Sequence, residues 1–366
     1  MSSEIQRSRK WLFSLLSLLV LLSTLEGCAW WLERKAYHGK ISLRHDDSAG
    51  GSLYLNTSHD ARPQLRPGAT LQGSRFEVSI NQKGFRGPEL QSPKPQNGLR
   101  IWFIGGSTTF DIYAPSDATT WPALTGSLLG EALGNPAVEV INAGIPGEII
   151  RGNREDFEVH FGSVRPDVLI LHAGPNDLRA GSQSSAQGGQ LEPEPTAGLL
   201  HRFALFRVLS RKLQWQRVPS SWAAHRIDSH HWNRLEKDLT DFIASAQSKG
   251  VTVVLATHAH RAEDGATGRQ AARQVAEGTK LLRMNPEGVI QTFAEYNDRI
   301  RAIADAQNLP LIDLREAVPP EGRYFGDHTH FSAEGSRIAA SAAVEVLKTL
   351  SLRSRQPPQS GAPHRR

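Results

Sequence analysis

The sequence predicts an α/β protein, a three-layer α/β/α sandwich around a central parallel sheet. Three observations carry that expectation. Short apolar runs alternate with stretches of helical spacing from residue 100 onward. The runs Ile101-Trp102-Phe103-Ile104, Val138-Glu139-Val140-Ile141 and Val168-Leu169-Ile170-Leu171 are nearly continuous in apolar character, as strands covered on both faces of a parallel sheet are. Each run then breaks at a polar or glycine element: Gly105-Gly106-Ser107, Asn142-Ala143-Gly144 and Gly174-Pro175-Asn176-Asp177.

The helices fit between these strands. Trp121, Leu124, Leu128 and Leu129 recur at helical spacing until Gly134-Asn135-Pro136 stops them. Asp156 to Phe161 belongs to a second helix ahead of the third strand. Trp232, Leu235, Leu239, Phe242 and Ala246 mark an amphipathic helix that ends at Gly250 and feeds a strand from Val251 to Ala256. Phe293, Tyr296, Ile300 and Ile303 mark another, feeding Leu311-Ile312-Asp313. A last helix runs from about Ala333 to Leu350 with Ser332 as its N-cap. Two insertions, 180–230 and 258–287, interrupt the alternation at strand ends. Within the first, Leu200, Phe203, Phe206 and Leu209 are interleaved with Arg202, Arg207, Arg211 and Lys212. That is a cationic amphipathic helix, read as a cap over a neighbouring crevice in preference to one lying on a membrane.

At 39% hydrophobic and 22% charged residues the composition is globular, and 366 residues suffice for a large core. The net charge of +5 sits at the ends. Residues 1–27 hold Arg7, Arg9 and Lys10 against Glu4 and Glu26, and residues 351–366 add Arg353, Arg355, Arg365 and Arg366 unopposed, so the body between is neutral. No nucleic-acid partner is expected of it.

Residues 1–27 have the layout of a signal peptide or signal anchor, with a basic start and an apolar run from Trp11 to Leu25. The run ends at Leu25-Glu26-Gly27-Cys28, where Cys28 is the single cysteine, which excludes an intrachain disulfide. This segment resembles a bacterial lipobox, whose cysteine is lipidated and becomes the mature N-terminus, with Glu26 a departure from the motif. An uncleaved anchor reaching through Ala29-Trp30-Trp31 and ordinary cleavage are the alternatives. All three place the catalytic domain outside the cytoplasm, on the periplasmic side in a bacterium. Residues 28–99 read as a spacer and N-terminal extension, 100–350 as the catalytic domain, and 351–366 as a disordered basic tail.

The chemistry converges from separate blocks. Ser107, just beyond a strand, is either a nucleophile or a hydroxyl capping a turn. Asp327 precedes His330 by three residues, a spacing that sets a carboxylate beside an imidazole able to take a hydroxyl proton. Because the C-terminal ends of parallel strands line one crevice, Ser107, Gly144 and Asn176 would meet there. The amides of Ser107 and Gly144 and the Asn176 side chain would then face a developing oxyanion. In these four blocks, spread over about residues 100 to 350, the chain resembles the SGNH/GDSL hydrolase superfamily. Its one departure there is Gly106, where that superfamily's name carries an aspartate. The resemblance implies a flavodoxin-like SGNH fold and a serine ester hydrolase with Ser107, Asp327 and His330 as triad and no cofactor. It implies an acylated small molecule or cell-surface polysaccharide as substrate. A polysaccharide O-acyltransferase using the same triad and a non-catalytic polysaccharide-binding module are the competing functions.

Two further features are open at this level. Asn81-Gln82-Lys83-Gly84-Phe85-Arg86 is similar to a stretch that precedes the catalytic block in one group of bacterial SGNH-like hydrolases. Arg86 there either holds an anionic or sugar substrate or forms a salt bridge beneath a core Phe85. The pairs His258/His260 and His328/His330 beside Asp327 raise a metal site. That reading leaves Ser107, Gly144 and Asn176 without a role, so no metal is expected, and His258 is expected to line the crevice or sit in a solvated loop.

Overall fold

The computed structural model describes residues 2–36, 53–55, 62–73, 76–135, 137–185, 203–206, 209 and 227–354. The chain divides into two compact units, Met1–His38 with Gly188–Ser221, and Gly39–Gln187 with Trp222–Arg366. The described elements in chain order are α1 (Ser2–Ala36), β1 (Thr70–Gln72), β2 (Glu77–Ser79), β3 (Leu99–Gly105), α2 (Ser107–Phe110), α3 (Trp121–Leu133), β4 (Val138–Gly144), α4 (Ile150–Val164), β5 (Val168–His172), α5 (Pro175–Ser185), α6 (Ser229–Ser248), β6 (Thr252–Ala256), α7 (Gly268–Gln274), α8 (Ala276–Leu282), α9 (Pro286–Gln307), β7 (Leu311–Ile312), α10 (Leu314–Ala317) and α11 (Ala333–Ser354).

In the smaller unit α1 is one unbroken helix, continuing past the expected end of the targeting segment at residue 27 to Ala36. Its leucine-rich run has no helix breaker before Gly27. The stretch Phe13–Trp31, 19 residues long, is apolar enough to cross a membrane. Glu26 is fixed within this unit: its two carboxylate oxygens accept the backbone N–H groups of Ala204 at 2.5 Å and Leu205 at 2.9 Å. Most of the cationic stretch expected to cap a crevice lies outside the described residues.

In the larger unit five parallel strands form one sheet in the order β4-β3-β5-β6-β7. Counted by appearance this is the doubly wound 2-1-3-4-5 order, whose reversal point lies between its first and third strands. Alternate residues of β3 serve opposite faces. Trp102 and Ile104 pack with Phe157 of α4, Leu239 and Phe242 of α6, and Phe293 of α9; Ile101 and Phe103 pack with Trp121 of α3 and Ala339 and Leu347 of α11. Helices on both faces make the three expected layers. Thr120 caps the start of α3, accepting from Ala123 N, and Gly134 closes that helix in the left-handed region, where the sequence stops it. Ser332 caps α11, its Oγ accepting from Gly335 N at 3.3 Å.

Helix α4 contains the expected Asp156–Phe161 and extends beyond it, running from Ile150 to Val164, while two other elements depart from expectation. Its first turn is capped from a distance, by the Asp177 carboxylate accepting from Ile150 N at 3.2 Å, which no local pattern reveals. The spacer expected before residue 100 is in part folded core: Leu53, Leu65, Val78 and Ile80 are buried in a cluster with Phe110, Ile112 and Ile145. Its strands are three residues each, and in β2 the buried Val78 lies between the exposed Glu77 and the half-buried Ser79. The polar insertion 258–287 contains α7 and α8, and buries Ala271, Val275, Leu282 and Met284 in the core.

Candidate active site

The end of β3 builds the position of Ser107. Gly105 pairs in register with Gly144 of β4 and His172 of β5, and the chain turns at Gly106 into α2, whose first residue is Ser107. As the first helical residue, Ser107 has an N–H without an intrahelical acceptor. After one turn Asp111 takes a left-handed conformation with φ of 66° and ends the helix. Arg86 locks that ending. Its Nη1 donates to the carbonyls of Phe110 at 2.8 Å and Asp111 at 2.9 Å, its Nη2 to Ala114 O at 3.3 Å, and its Nε to Asp117 Oδ1 at 2.8 Å. With every guanidinium nitrogen so engaged, its side chain fully buried and Phe85 in the core, Arg86 takes the structural of its two readings. Asp111 is buried as well, and Oδ2 accepts from Trp121 N and Ser336 Oγ, both at 2.8 Å. Burial pushes its carboxyl up to about 6.

Asp327 and His330 arrive on the loop before α11. Ser107 Oγ lies 2.7 Å from His330 Nε2, and His330 Nδ1 lies 2.8 Å from Asp327 Oδ2 and 2.9 Å from Oδ1. The backbone N–H groups of Thr329 and His330 donate to Asp327 Oδ1 at 3.1 and 3.0 Å, and Tyr113 OH donates to Oδ2 at 3.3 Å. These donors fix the carboxylate, and its bond to Nδ1–H leaves the Nε2 lone pair toward the serine. The serine and the histidine keep partial exposure while Asp327 is buried, so a substrate reaches the first two only.

Of the expected oxyanion donors, two are adjacent. Asn176 Nδ2 sits where a Cβ on Gly106 would be only 2.9 Å from it, next to the nucleophile. One of its two amide hydrogens goes to Glu148 O at 2.8 Å, leaving the other. Gly144 is a correction. Its N–H donates to Asn142 Oδ1 at 3.1 Å, and its missing Cβ admits the backbone of Thr109 and Phe110, so its part is to seat α2. The turn after β4 carries the exposed Gly147 just before Glu148, the residue whose carbonyl holds Asn176.

His258, expected to line the crevice or sit in a solvated loop, is buried, as is His260, and His258 is hydrogen-bonded through both ring nitrogens, to His172 and Thr329. Among the described residues no group of three or more His, Cys, Asp or Glu is placed to hold a metal ion. Sequence reasoning missed Tyr113, His172 and Thr329; His172 directly follows the run Val168–Leu171, but its partners are tertiary.

The profile of the GDSL-like Lipase/Acylhydrolase family matches residues 103–338, which hold the whole constellation. No curated protein matches the sequence. Solved structures similar to it include a member of the lipolytic protein G-D-S-L family from Veillonella parvula (16% identity, 69% of this chain and 99% of that one, TM-score 0.43). Others are the acetylxylan esterase Axe2 from Geobacillus stearothermophilus (17%, 69% and 96%, TM-score 0.42) and a GDSL-like lipase from Bacteroides thetaiotaomicron (13%, 71% and 92%, TM-score 0.38). With the family profile spanning the sheet from β3 to the start of α11, the chain belongs to the GDSL-like lipase/acylhydrolase family and is a hydrolase acting on ester bonds.

Proposed function

We propose that the protein is a membrane-tethered serine esterase that works through an acyl-enzyme outside the cytoplasm. The observation that carries this reading is the continuous Ser107–His330–Asp327 hydrogen-bond chain, with distances of 2.7 and 2.8 Å. Ser107 Oγ attacks the acyl carbonyl carbon while its proton passes to His330 Nε2; Asp327 stabilises the imidazolium. The oxyanion takes hydrogen bonds from Ser107 N–H and the remaining Asn176 amide hydrogen, and from Gly147 N–H in the place expected of Gly144. Collapse breaks the ester C–O bond as His330 returns the proton to the leaving alkoxide. Water, deprotonated by the same imidazole, then releases the acid and restores Ser107. A cell-surface polysaccharide ester is the substrate class we favour, because a tethered enzyme meets its substrate at the surface that holds it.

For the tether we favour the uncleaved anchor over lipidation at Cys28. Cleavage before Cys28 would remove Glu26, whose carboxylate carries the two contacts with Ala204 and Leu205.

The full chain in detergent should turn over short-chain aryl esters and label stoichiometrically with a fluorophosphonate, and Ser107→Ala should lose both by at least about a thousandfold. Turnover that survives the alanine sinks the serine mechanism. A wild-type chain that neither labels nor turns over points to the polysaccharide-binding module.

A further inference from the structure

We propose that His172 and His258 form a neutral, buried strap that sets the separation between the nucleophile turn and the acid–base loop, which makes them positioning residues of this site. The inference rests on the serine-hydrolase reading of Ser107, His330 and Asp327.

The strap is continuous. Thr109, two residues after Ser107, has its Oγ1 at 3.0 Å from His172 O and 3.1 Å from His172 Nδ1. His172 Nε2 lies 3.1 Å from His258 Nδ1, and His258 Nε2 lies 2.6 Å from Thr329 Oγ1. Thr329 is the residue before His330, and its backbone N–H donates to Asp327 Oδ1. A path of hydrogen bonds therefore leaves the nucleophile's helix, crosses the ends of β5 and β6, and lands between the general base and the carboxylate that orients it.

Donor and acceptor counting assigns its protons. The Thr109 hydroxyl donates to the His172 carbonyl, so its oxygen accepts from His172 Nδ1–H. That leaves His172 Nε2 as acceptor for His258 Nδ1–H and His258 Nε2 as acceptor for the Thr329 hydroxyl, whose other acceptor, Ala259 O, lies farther off at 3.3 Å against 2.6 Å. Each ring carries one hydrogen, and all four ring nitrogens are satisfied. Burial independently favours uncharged rings, holding His172 down to about 3 and His258 well below the usual imidazole range.

Nothing in the strap is free to swing. The rings of His172 and His258 stack at 4.9 Å, and Phe293 stacks on the far side of His258 at 5.7 Å. Asn297 grips the His258 backbone from both sides, accepting from its N–H at 2.7 Å and donating to its carbonyl at 3.0 Å. Apolar residues at strand ends would fill this space without the cost of burying four ring nitrogens. A fully paired polar network adds what they lack, one defined geometry. It is spent on two turns that must hold Ser107 Oγ and His330 Nε2 within hydrogen-bond reach.

The test uses the full chain in detergent with an aryl acetate, comparing wild type, Thr329→Val, Thr329→Ser and Ser107→Ala. Valine keeps the shape of Thr329 and its backbone N–H but removes the hydroxyl that closes the strap. We expect kcat to fall at least about tenfold in Thr329→Val with KM within about twofold, and serine to restore kcat to within about threefold of wild type. A loss in kcat below about tenfold, a change confined to KM, or a serine variant as impaired as the valine overturns the strap. Should Thr329→Val fail to fold, as judged by thermal melting, Thr109→Val at the other end is held to the same thresholds. Ser107→Ala separates the two levels: if it is inert while Thr329→Val is unimpaired, only the strap falls. If Ser107→Ala is active, the serine mechanism falls and the strap with it.

Discussion

Gly144 illustrates how one hydrogen atom in place of a side chain decides where the helix carrying Ser107 sits. A Cβ at this position would overlap the Phe110 amide, and α2 with Ser107 on it would have to move. Gly144→Ala should therefore leave the far-ultraviolet circular dichroism near wild type while slowing fluorophosphonate labelling of Ser107 by about a hundredfold, the penalty of a small misplacement. Labelling at the wild-type rate would show that the turn is not seated by this contact. The members of the Ser107–His330–Asp327 hydrogen-bond chain were legible in the sequence because each follows or precedes a recognisable strand or helix. The role of Gly144 was not, because the Asn142 side chain that takes its N–H is a near neighbour whose direction only the fold sets.

Among the elements, the ones read correctly were those with enough turns or apolar residues to show a period, such as β3, α3, α6 and α9. Other segments draw their order from distant partners as well. Helix α4 begins at a turn capped by Asp177, and the Ala271–Met284 region, read as a polar insertion, is ordered by burial against the sheet layer. The segment around Ala204 also has a distant partner, since its amides are met by Glu26, 178 positions earlier. Glu26→Leu removes both acceptors, each charge-assisted bond contributing about 1.5 kcal/mol. Trypsin should then cut the arginine-rich 199–217 stretch about tenfold faster, followed by mass spectrometry of the fragments. An unchanged cleavage rate would mean the carboxylate does not hold that segment.

For the molecule as a whole, interior histidines shape the response to acid. His260 is buried with neither ring nitrogen hydrogen-bonded, and burial, with Arg315 adding repulsion, holds its imidazole down from 6.5 to about 3. A base held down in the fold gives stability that is complete above pH 6.5 and is lost as pH falls toward 3, because the unfolded chain takes up the proton first. His172 has the same sign. Asp111 and Asp177 act oppositely: burial raises them to about 6 and about 7, so their contribution is present at low pH and fades as pH rises through those values. The two sets partly cancel, so a single variant is more telling than the overall curve. His260→Leu should shift acid unfolding to lower pH and reduce proton uptake on unfolding near pH 5 by about one, measured by denaturant melts across pH. An unaltered acid limb would show that His260 is already charged in the fold.

The hydrogen bond between Ser107 and His330 joins positions 223 residues apart. Closing so long a loop adds little in free energy, since each doubling costs only about 0.6 kcal/mol, but it fixes an order of events. A growing chain carries Ser107 long before His330. Until the final strand and the loop after it have docked, Ser107 lacks this partner. Under the proposed serine mechanism, reactivity is thus the last property the polypeptide acquires, and an interrupted or clipped chain never acquires it.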